Sequence, residues 1–210
     1  MPPLCERSTD LSIIIPVYNL EDYITPMLDS LKAQDTGDYN VEIIIVLNNC
    51  TDDTEGVIRR SGLECTLIEC KTQGCGPARN AGLDIAKGNY IWMVDGDDWI
   101  TRDTAVKELL DRAYKDDLDI LYIPFTSLTF TWQYFSMVCQ YLLRREFIEG
   151  VRFPDYQPAE DDAYMIEVLH RAGVDRWSYW RLPHMHTHYI YYNYGRPGSN
   201  MMRFYAGEKI

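Results

Sequence analysis

Apolar residues in the first half of the chain fall into short uninterrupted runs separated by longer amphipathic stretches. Such runs are typical of strands buried on both faces, because a half-exposed strand would alternate apolar and polar positions. They cover residues 11–18, 41–47, 63–69 and 90–94. The stretches between them show helical spacing over residues 20–34, 51–60 and 77–87. Pro26 interrupts the first stretch, so its helix either restarts behind Thr25 or is kinked there.

The second half of the chain is less regular. Its pattern predicts helices over 103–115 and 159–172 and strands over 118–123, 174–180 and 186–194, while 124–158 mixes aromatic residues with turns and receives no assignment. Strands that alternate with helices predict an α/β fold with a mostly parallel, Rossmann-type sheet covered by helices on both faces. We expect a leader over 1–10 and one domain over 11–210, divided near residue 100 into a nucleotide-binding half and a less regular half.

Composition and charge narrow the classes of function. The 210 residues are 46% hydrophobic, which suits a packed domain, and the formal net charge of −12 argues against nucleic-acid and anionic-lipid surfaces. No apolar stretch reaches the length of a membrane span, and the N-terminus lacks a signal-peptide pattern. The six cysteines contain no C-x-x-C pair, so we expect reduced thiols in a cytoplasmic protein.

The clearest chemical signal follows the strand predicted at 90–94. That strand delivers Asp95, Asp97 and Asp98 to its C-terminal end, which is where open α/β sheets bind ligands. Crowded carboxylates repel one another, and a hard cation such as Mg²⁺ or Mn²⁺ relieves that repulsion and prefers oxygen ligands. The residues therefore indicate a metal–diphosphate site. The alternative is an ordinary acidic turn in which an aspartate caps a helix.

Several short motifs occur in a fixed order along the chain. They are Pro16-Val-Tyr-Asn19, Asn48-Asn-Cys-Thr-Asp-Asp-Thr54, Gly76-Pro-Ala-Arg-Asn-Ala-Gly82, Asp95-Gly-Asp-Asp98, Glu160-Asp161 and Arg196-Pro-Gly-Ser199. This series resembles the GT-A fold glycosyltransferases of family 2 over about residues 11–201. The resemblance implies an inverting transferase that uses a nucleotide-sugar donor together with Mn²⁺ or Mg²⁺.

The resemblance also implies which residues bind the sugar donor. The backbone of Pro16 and Val17 and the ring of Tyr18 would flank the nucleobase; the second interpretation is a strand-ending turn with Tyr18 in the core. Asn48 stands where relatives often have a uridine-facing Asp, and its amide can still accept a hydrogen bond from the base. Arg79 would reach the base or the diphosphate, with a plain surface arginine as the alternative. Arg196 would touch the diphosphate, although the residues just before it depart from the family pattern.

By the same resemblance, Asp97 binds the metal and Asp95 binds the ribose, or the metal through a water molecule. Asp98 would support the site, and Gly96, often serine in relatives, would add backbone freedom. His184, His186 and His188 alternate on a predicted strand, and His186 is an auxiliary candidate ligand beside the simpler interpretation of partly solvated histidines.

Asp161 is the candidate catalytic base, since an inverting transfer needs a carboxylate that removes the acceptor's proton. The pattern Glu-Asp-x-x-aromatic, closed by Tyr164, favours Asp161 over its neighbour Asp162. The alternative is a set of helix-start acids that merely complement the helix dipole.

The expected function is therefore transfer of a sugar, from a UDP-sugar as the first expectation, to a hydroxyl of a growing glycan, polysaccharide or glycolipid. A sugar-phosphate nucleotidyltransferase is one alternative, but the loop Tyr18-Asn-Leu-Glu-Asp22 is acidic where such enzymes carry a basic, glycine-rich loop. A nucleotide-sugar-binding module without turnover is the other. The chain ends soon after Ser199, so we expect a compact enzyme or a truncated one.

Overall fold

The computed structural model describes residues 8–126, 137–155, 160–174, 182–183, 185 and 190–191. The helices are α1 (Thr25–Lys32), α2 (Thr54–Ser61), α3 (Cys75–Ile85), α4 (Ala105–Lys115) and α5 (Glu160–Arg171). The strands are β1 (Leu11–Val17), β2 (Val41–Leu47), β3 (Thr66–Glu69), β4 (Tyr90–Met93), β5 (Trp99–Ile100), β6 (Ile120–Tyr122), β7 (Phe125–Thr126), β8 (Tyr141–Arg144) and β9 (Ile190–Tyr191). A 3₁₀ turn, Val138–Gln140, precedes β8.

Six strands form one mixed sheet in the order β3-β2-β1-β4-β8-β6. The first four strands run parallel, as their alternation with helices predicts. Strand β8 lies between β4 and β6 and is antiparallel to both, so it alone runs opposite to the other five strands of this sheet. Because β8 comes from the stretch without a sequence assignment, the mixed character of the sheet was not predictable from the pattern.

Strands β1 and β4 are buried on both faces, as their apolar character predicts, whereas both ends of the edge strand β3 are exposed. Successive side chains of a strand point to opposite faces, so Ile13 and Ile15 enter one core cluster and Ile14 enters the other. Helices α1, α2 and α4 cover the first face, whereas α3 and α5 cover the second. This arrangement places the starts of α3 and α5 on the same side of the sheet.

Helices α1 and α2 show the largest delays between the predicted start and the observed one. Helix α1 starts at Thr25 and carries Pro26 in its first turn, where a missing N–H costs no helical hydrogen bond. The predicted restart is therefore confirmed, and residue 24 rather than Thr25 precedes the helix as its cap. Helix α2 starts at Thr54, whose N–H and hydroxyl both donate to the Asp52 carboxylate. Both delays leave the preceding residues free to form loops at the edge of the sheet.

The two predicted halves share secondary structure. Strands β6 and β8 of the second half belong to the same sheet as β1 to β4, and a small second sheet has the order β5-β9-β7. Strand β9 lies within the strand predicted at 186–194, whereas most of the one predicted at 174–180 falls outside the described residues. At the end of the predicted leader, the Asp10 N–H donates to Asn40 O at 2.8 Å and its carbonyl accepts from Tyr90 N–H. The division into leader and halves stays a prediction.

None of the helices within the described residues is long and apolar enough to cross a bilayer.

Candidate functional site

The carboxyl ends of β1, β2 and β4 meet at one edge of the sheet. The three strands are parallel and adjacent, so the residues that follow each of them share this edge. The backbone N–H of Asn48 donates to Val17 O at 2.9 Å, and that of Val94 donates to Ile14 O at 3.1 Å. The loops that begin near Tyr18, Asn48 and Asp95 are thereby brought together, as the motif series predicts.

The loops after β1 and β2 are tied to each other by reciprocal hydrogen bonds. Asn19, with a left-handed φ of 49°, accepts from Thr51 N–H at 2.8 Å and donates to its hydroxyl at 3.1 Å. The Glu21 N–H donates to Asp52, and the Asp53 N–H donates back to Glu21, both at 3.0 Å. The acidic residues Glu21, Asp52 and Asp53 therefore fix the two loops against each other.

Asn48 is buried and its side chain is engaged by the loop between β3 and α3. Its amide nitrogen donates to the carbonyls of Cys70 (3.1 Å) and Thr72 (2.7 Å), and its amide oxygen accepts from Gly74 N–H at 2.9 Å. Both amide protons thus hold the loop, and only the second lone pair of Oδ1 is left for the expected base contact. That contact stays a prediction. Pro16 and Val17 are buried, while Tyr18 is half-buried.

Arg79 is the centre of the site. It lies near the start of α3, only 3% of its side chain is exposed, and it reaches three carboxylates from two distant segments. Its Nη2 contacts Asp95 Oδ1 at 2.8 Å, while its Nη1 contacts Asp161 Oδ1 at 2.5 Å and Glu160 Oε1 at 3.2 Å. The alternative of a surface arginine is wrong. Both terminal nitrogens are held by protein carboxylates. The expected contact of Arg79 with the sugar donor stays a prediction.

Arg79 also packs on an aromatic ring, and that ring's own backbone is held by hydrogen bonds. The guanidinium carbon lies 5.3 Å from the centroid of the Phe153 ring, which stacks on Tyr164 with centroids 3.9 Å apart. Asn80, next to Arg79, donates to Phe153 O and accepts from Phe153 N–H at 2.9 and 3.0 Å. Phe153 lies in the stretch without a sequence assignment, so its role was missed. Tyr164, the aromatic residue that closes the Glu-Asp motif, was the available signal.

The environment of Asp161 raises the pKa of its carboxyl group to about 7. Burial is the main cause, and the negative charges of Asp95 and Glu160 add to it. Arg79 opposes the rise, as does the Val138 N–H, which donates to Asp161 Oδ2 at 3.4 Å. About a quarter of the side chain remains exposed. A partly exposed carboxyl group whose pKa is raised towards neutral pH is suited to act as a general base.

The thiol of Cys75 lies in the field of the same acidic group. Its burial and the neighbouring carboxylates outweigh the effect of Arg79 and raise its pKa to about 12. The thiol is therefore protonated at neutral pH.

The Asp95-Gly-Asp-Asp98 loop leaves β4 and turns back on itself, since the Asp98 N–H donates to Asp95 O at 3.1 Å. Asp98 is buried, whereas Asp95 and Asp97 are half-buried. A Cβ atom at Gly96 would lie 2.7 Å from Leu20 Cδ1 and 2.8 Å from Val17 Cγ1. The side chains of Val17 and Leu20 therefore occupy the space that a side chain at position 96 would enter, and the expectation that Gly96 adds backbone freedom stays a prediction.

The oxygen atoms of this loop suit a hard cation that a diphosphate also binds. No group of three or more His, Cys, Asp or Glu side chains in the described ranges is arranged to hold a metal ion on its own. One or two carboxylates, completed by phosphate oxygens and water, are the usual protein contribution to a Mg²⁺ site. Asp97 and Asp95 offer that contribution. His184, His186, His188 and Arg196 lie outside the described residues, so their predicted roles are untouched.

Comparison with known proteins agrees with this arrangement. The family model for glycosyl transferase family 2 matches residues 12–176. The glycosyltransferase GlyA of Streptococcus pneumoniae is 36% identical over 117 residues, which is 52% of this chain and 16% of the relative. The poly(ribitol-phosphate) beta-N-acetylglucosaminyltransferase TarS of Staphylococcus aureus is 35% identical over 113 residues, 51% of this chain and 20% of the relative. The chain therefore spans only a fraction of the length of these relatives.

Solved structures share the fold over most of the chain. The crystal structure of S. aureus TarS 1–349 in complex with UDP-GlcNAc superposes with a TM-score of 0.78 at 23% identity, covering 92% of this chain and 61% of that one. The mannosyltransferase PcManGT of Pyrobaculum calidifontis, in complex with GDP-Man and Mn²⁺, gives a TM-score of 0.69 at 17% identity, covering 94% and 61%. These likenesses confirm the predicted α/β fold with its mostly parallel sheet.

Proposed function

The chain belongs to glycosyl transferase family 2, and on that premise we propose that it transfers a sugar from a UDP-sugar to a hydroxyl group with inversion. The observation that carries the proposal is the position of Arg79, whose guanidinium joins Asp95 at the end of β4 to Asp161 at the start of α5. An aspartate that follows a central strand and a second aspartate of raised pKa are the two groups that such a transfer needs.

Asp161 is the proposed general base. It accepts the proton of the acceptor hydroxyl as that oxygen forms its bond to the anomeric carbon, and the bond from that carbon to the diphosphate breaks on the opposite face. The raised pKa of Asp161 supports this role, because a base near pH 7 combines a useful ionised fraction with a useful proton affinity. Its partial exposure leaves room for a substrate to approach.

Asp97 is the proposed ligand of Mn²⁺ or Mg²⁺, with Asp95 acting on the ribose or through a metal-bound water. The oxygen-only character of the Asp95–Asp98 loop supports a hard cation. When bound, such a cation offsets negative charge on the leaving diphosphate. Asp98 supports the loop from within, and His186 stays a candidate auxiliary ligand.

The proposed sugar-donor pocket is the edge formed by the loops after β1 and β2. Pro16 and Val17 contribute backbone, Tyr18 contributes a half-buried ring, and Asn48 contributes one remaining acceptor lone pair. Arg196 stays a candidate for the diphosphate. Uridine is the first choice of base because TarS was crystallised with UDP-GlcNAc, whereas the complex of PcManGT with GDP-Man makes guanosine the competitor to test.

The proposed acceptor is a hydroxyl group of a growing glycan, polysaccharide or glycolipid. The named activity of the relative TarS, transfer of N-acetylglucosamine to poly(ribitol-phosphate), supports a polyol or polysaccharide chain. The acidic balance of the sequence gives no reason to add nucleic acid as a partner. A cytoplasmic location stays a prediction from the sequence.

The experiment is an incubation of the protein with a panel of UDP-, GDP- and dTDP-sugars plus Mn²⁺ and ribitol- or glycan-based acceptors, with assay of the released nucleotide. We expect turnover with a UDP-sugar and a product whose anomeric configuration, measured by NMR, is opposite to that of the donor. Calorimetric titration of UDP and GDP with Mn²⁺ supplies the base preference, and tighter binding of GDP would mean that the base pocket is misassigned. Binding without turnover would favour the alternative of a nucleotide-sugar-binding module.

A further inference from the structure

We propose that Arg79 is a positioning residue that holds the base Asp161 at a fixed place relative to Asp95, and that it is not a ligand of the sugar donor. The inference rests on the proposed function, because it concerns how the site of that reaction is assembled. It goes further by giving Arg79 a role different from the donor contact that the resemblance implies.

Arg79 is almost inaccessible to a ligand. With 3% of its side chain exposed, Arg79 presents almost no surface to a ligand. Nη2 is held by Asp95, and Nη1 is shared by Asp161 and Glu160. The remaining nitrogen, Nε, is buried and has no hydrogen-bond partner in the part of the chain that the structure describes. A diphosphate would have to displace a carboxylate before it could reach this guanidinium.

The planar guanidinium group of Arg79 fixes the positions of two carboxylates at once. Its two terminal nitrogens point in different, fixed directions, and here one contacts the β4 side of the site and the other contacts the α5 side. The separation of Asp95 from Asp161 is therefore set by one rigid planar group. A lysine ammonium is a single point charge and cannot fix two directions at once.

The guanidinium group of Arg79 is itself held in place by Phe153. Its face packs on the Phe153 ring at 5.3 Å, and Asn80 fixes the Phe153 backbone through two hydrogen bonds. The cation, the ring and the segment that leads into α5 therefore form one unit. A base must be placed to within a fraction of an ångström to act efficiently, and this unit provides such placement.

A contribution to folding stability does not explain why Arg79 is surrounded by three carboxylates. One buried cation faces three carboxylates, so the four side chains carry a net negative charge when all are ionised. A single carboxylate would neutralise the charge of Arg79, and each further partly buried carboxylate adds desolvation and mutual repulsion. Such an arrangement is expected where charge is placed for chemistry.

The test compares two matched substitutions, Arg79→Lys and Arg144→Lys. Arg144 is the control because it also contacts two carboxylates, Asp117 and Asp119, and packs on an aromatic ring, that of Tyr90 at 5.2 Å. It lies opposite the start of β4, at the other end of the sheet from the site. We expect kcat of Arg79→Lys to fall about 10²-fold while the Kd for UDP with Mn²⁺ stays within about threefold. Arg144→Lys should keep both values.

A double-mutant cycle with Asp161→Asn separates positioning from a merely structural effect. If Arg79 acts through Asp161, the variant with both changes should be no slower than Asp161→Asn alone, within about threefold. Multiplication of the two losses would overturn the proposal, and so would a Kd for UDP that rises in parallel with the loss in kcat. If Arg79→Lys does not fold, Phe153→Leu replaces it, since this change loosens the guanidinium but keeps its ion pairs, and the same criteria apply.

The two levels of inference fail in different ways. No turnover by the wild-type protein with any nucleotide sugar would overturn the proposed function and this inference with it. Full activity of Asp161→Asn would overturn the assignment of the base and therefore its positioning by Arg79. Loss of activity in Asp161→Asn together with an additive effect of Arg79→Lys would leave the proposed function standing and overturn only the positioning role.

Discussion

Gly76 of helix α3 packs against Phe153 and Pro154, which precede helix α5, and against Glu160, the first residue of that helix. A methyl group at Gly76 should therefore displace the proposed base, Asp161. A Cβ atom built on Gly76 would lie 2.6 Å from Pro154 O, 3.2 Å from Phe153 Cβ and 3.7 Å from Glu160 Cβ. All three neighbours belong to the segment that carries the aromatic support of Arg79 and the start of α5. The perturbation we propose is therefore Gly76→Ala.

The size of the effect follows from these distances. Cβ atoms in proteins essentially never approach another heavy atom within 3.0 Å, so the carbonyl oxygen of Pro154 must retreat by at least about 0.4 Å. Overpacking of this kind costs about 1–3 kcal/mol, and the better helix propensity of alanine recovers up to about 1 kcal/mol. The net cost is therefore roughly 0–3 kcal/mol, so for a chain of this length we expect Tm to fall by up to about 12 °C. Misplacement of a catalytic group by up to 1 Å lowers kcat by about 10- to 10²-fold.

Gly62→Ala is the matched control. Gly62 has a left-handed φ of 72° and no atom within 4 Å of its virtual Cβ, so alanine there costs roughly 1–2 kcal/mol of backbone strain without touching the site. Thermal unfolding and steady-state kinetics with a UDP-sugar should show comparable destabilisation of both variants and a loss of kcat only in Gly76→Ala. Wild-type kcat in a folded, destabilised Gly76→Ala would refute the idea that this segment places the base.

Four further outcomes are expected. Asp97→Asn should lower the transfer rate by about 10² to 10⁴ and weaken Mn²⁺-dependent UDP binding in calorimetry, and a wild-type rate would remove Asp97 as the metal ligand. Asp161→Asn should lower kcat by roughly 10² to 10⁴ with UDP binding intact, whereas Asp162→Asn should stay active, and a reversal would move the base by one residue. Because burial, Asp95 and Glu160 raise the pKa of Asp161 to about 7, protonation below that pH should remove the base, so kcat/KM should fall about tenfold per pH unit well below pH 7; a flat profile to pH 5 would contradict the assignment. Tyr164→Phe removes a buried hydroxyl with no partner in the described ranges, so Tm should hold or rise, and a large drop would indicate a missed hydrogen bond.

Strands β1, β2 and β4 were predictable because each is a largely apolar run, buried throughout in β1 and β4 and over its second half in β2. The edge strand β3, in which Thr66 and Glu69 are exposed, begins at residue 66, later than the predicted 63. The pattern places β2 at its observed bounds and β1 and β4 within one residue of theirs. Helix starts were less accurate, since Pro26 and the Asp52 carboxylate act on the backbone locally and the amphipathic pattern extends past them. Strand β8 was missed because its four residues lie in an aromatic-rich stretch, and its antiparallel place between β4 and β6 depends on partners distant in the sequence.

The candidate site shows the same division. Asp95 and Asp97 were predictable because a buried strand must deliver whatever follows it to the sheet edge, and the helix dipole favours acids such as Asp161 where α5 begins. The contacts of those residues were not predictable. That Asn48 holds the loop of residues 70–74 and that Arg79 faces carboxylates both depend on which segments pack together.

By itself, the sequence determined the α/β class, the parallel strands of the central sheet and the identity of the acidic residues, because periodicity and residue chemistry are local properties of the chain. Only the tertiary structure decided which acidic groups share a buried environment. Arg79 and Glu160, which are 81 positions apart in the sequence, come into contact because α3 and α5 pack on the same face of the sheet. The pKa of Asp161 depends on that packing, because burial and neighbouring charge are properties of assembled surfaces and are not encoded at any one position.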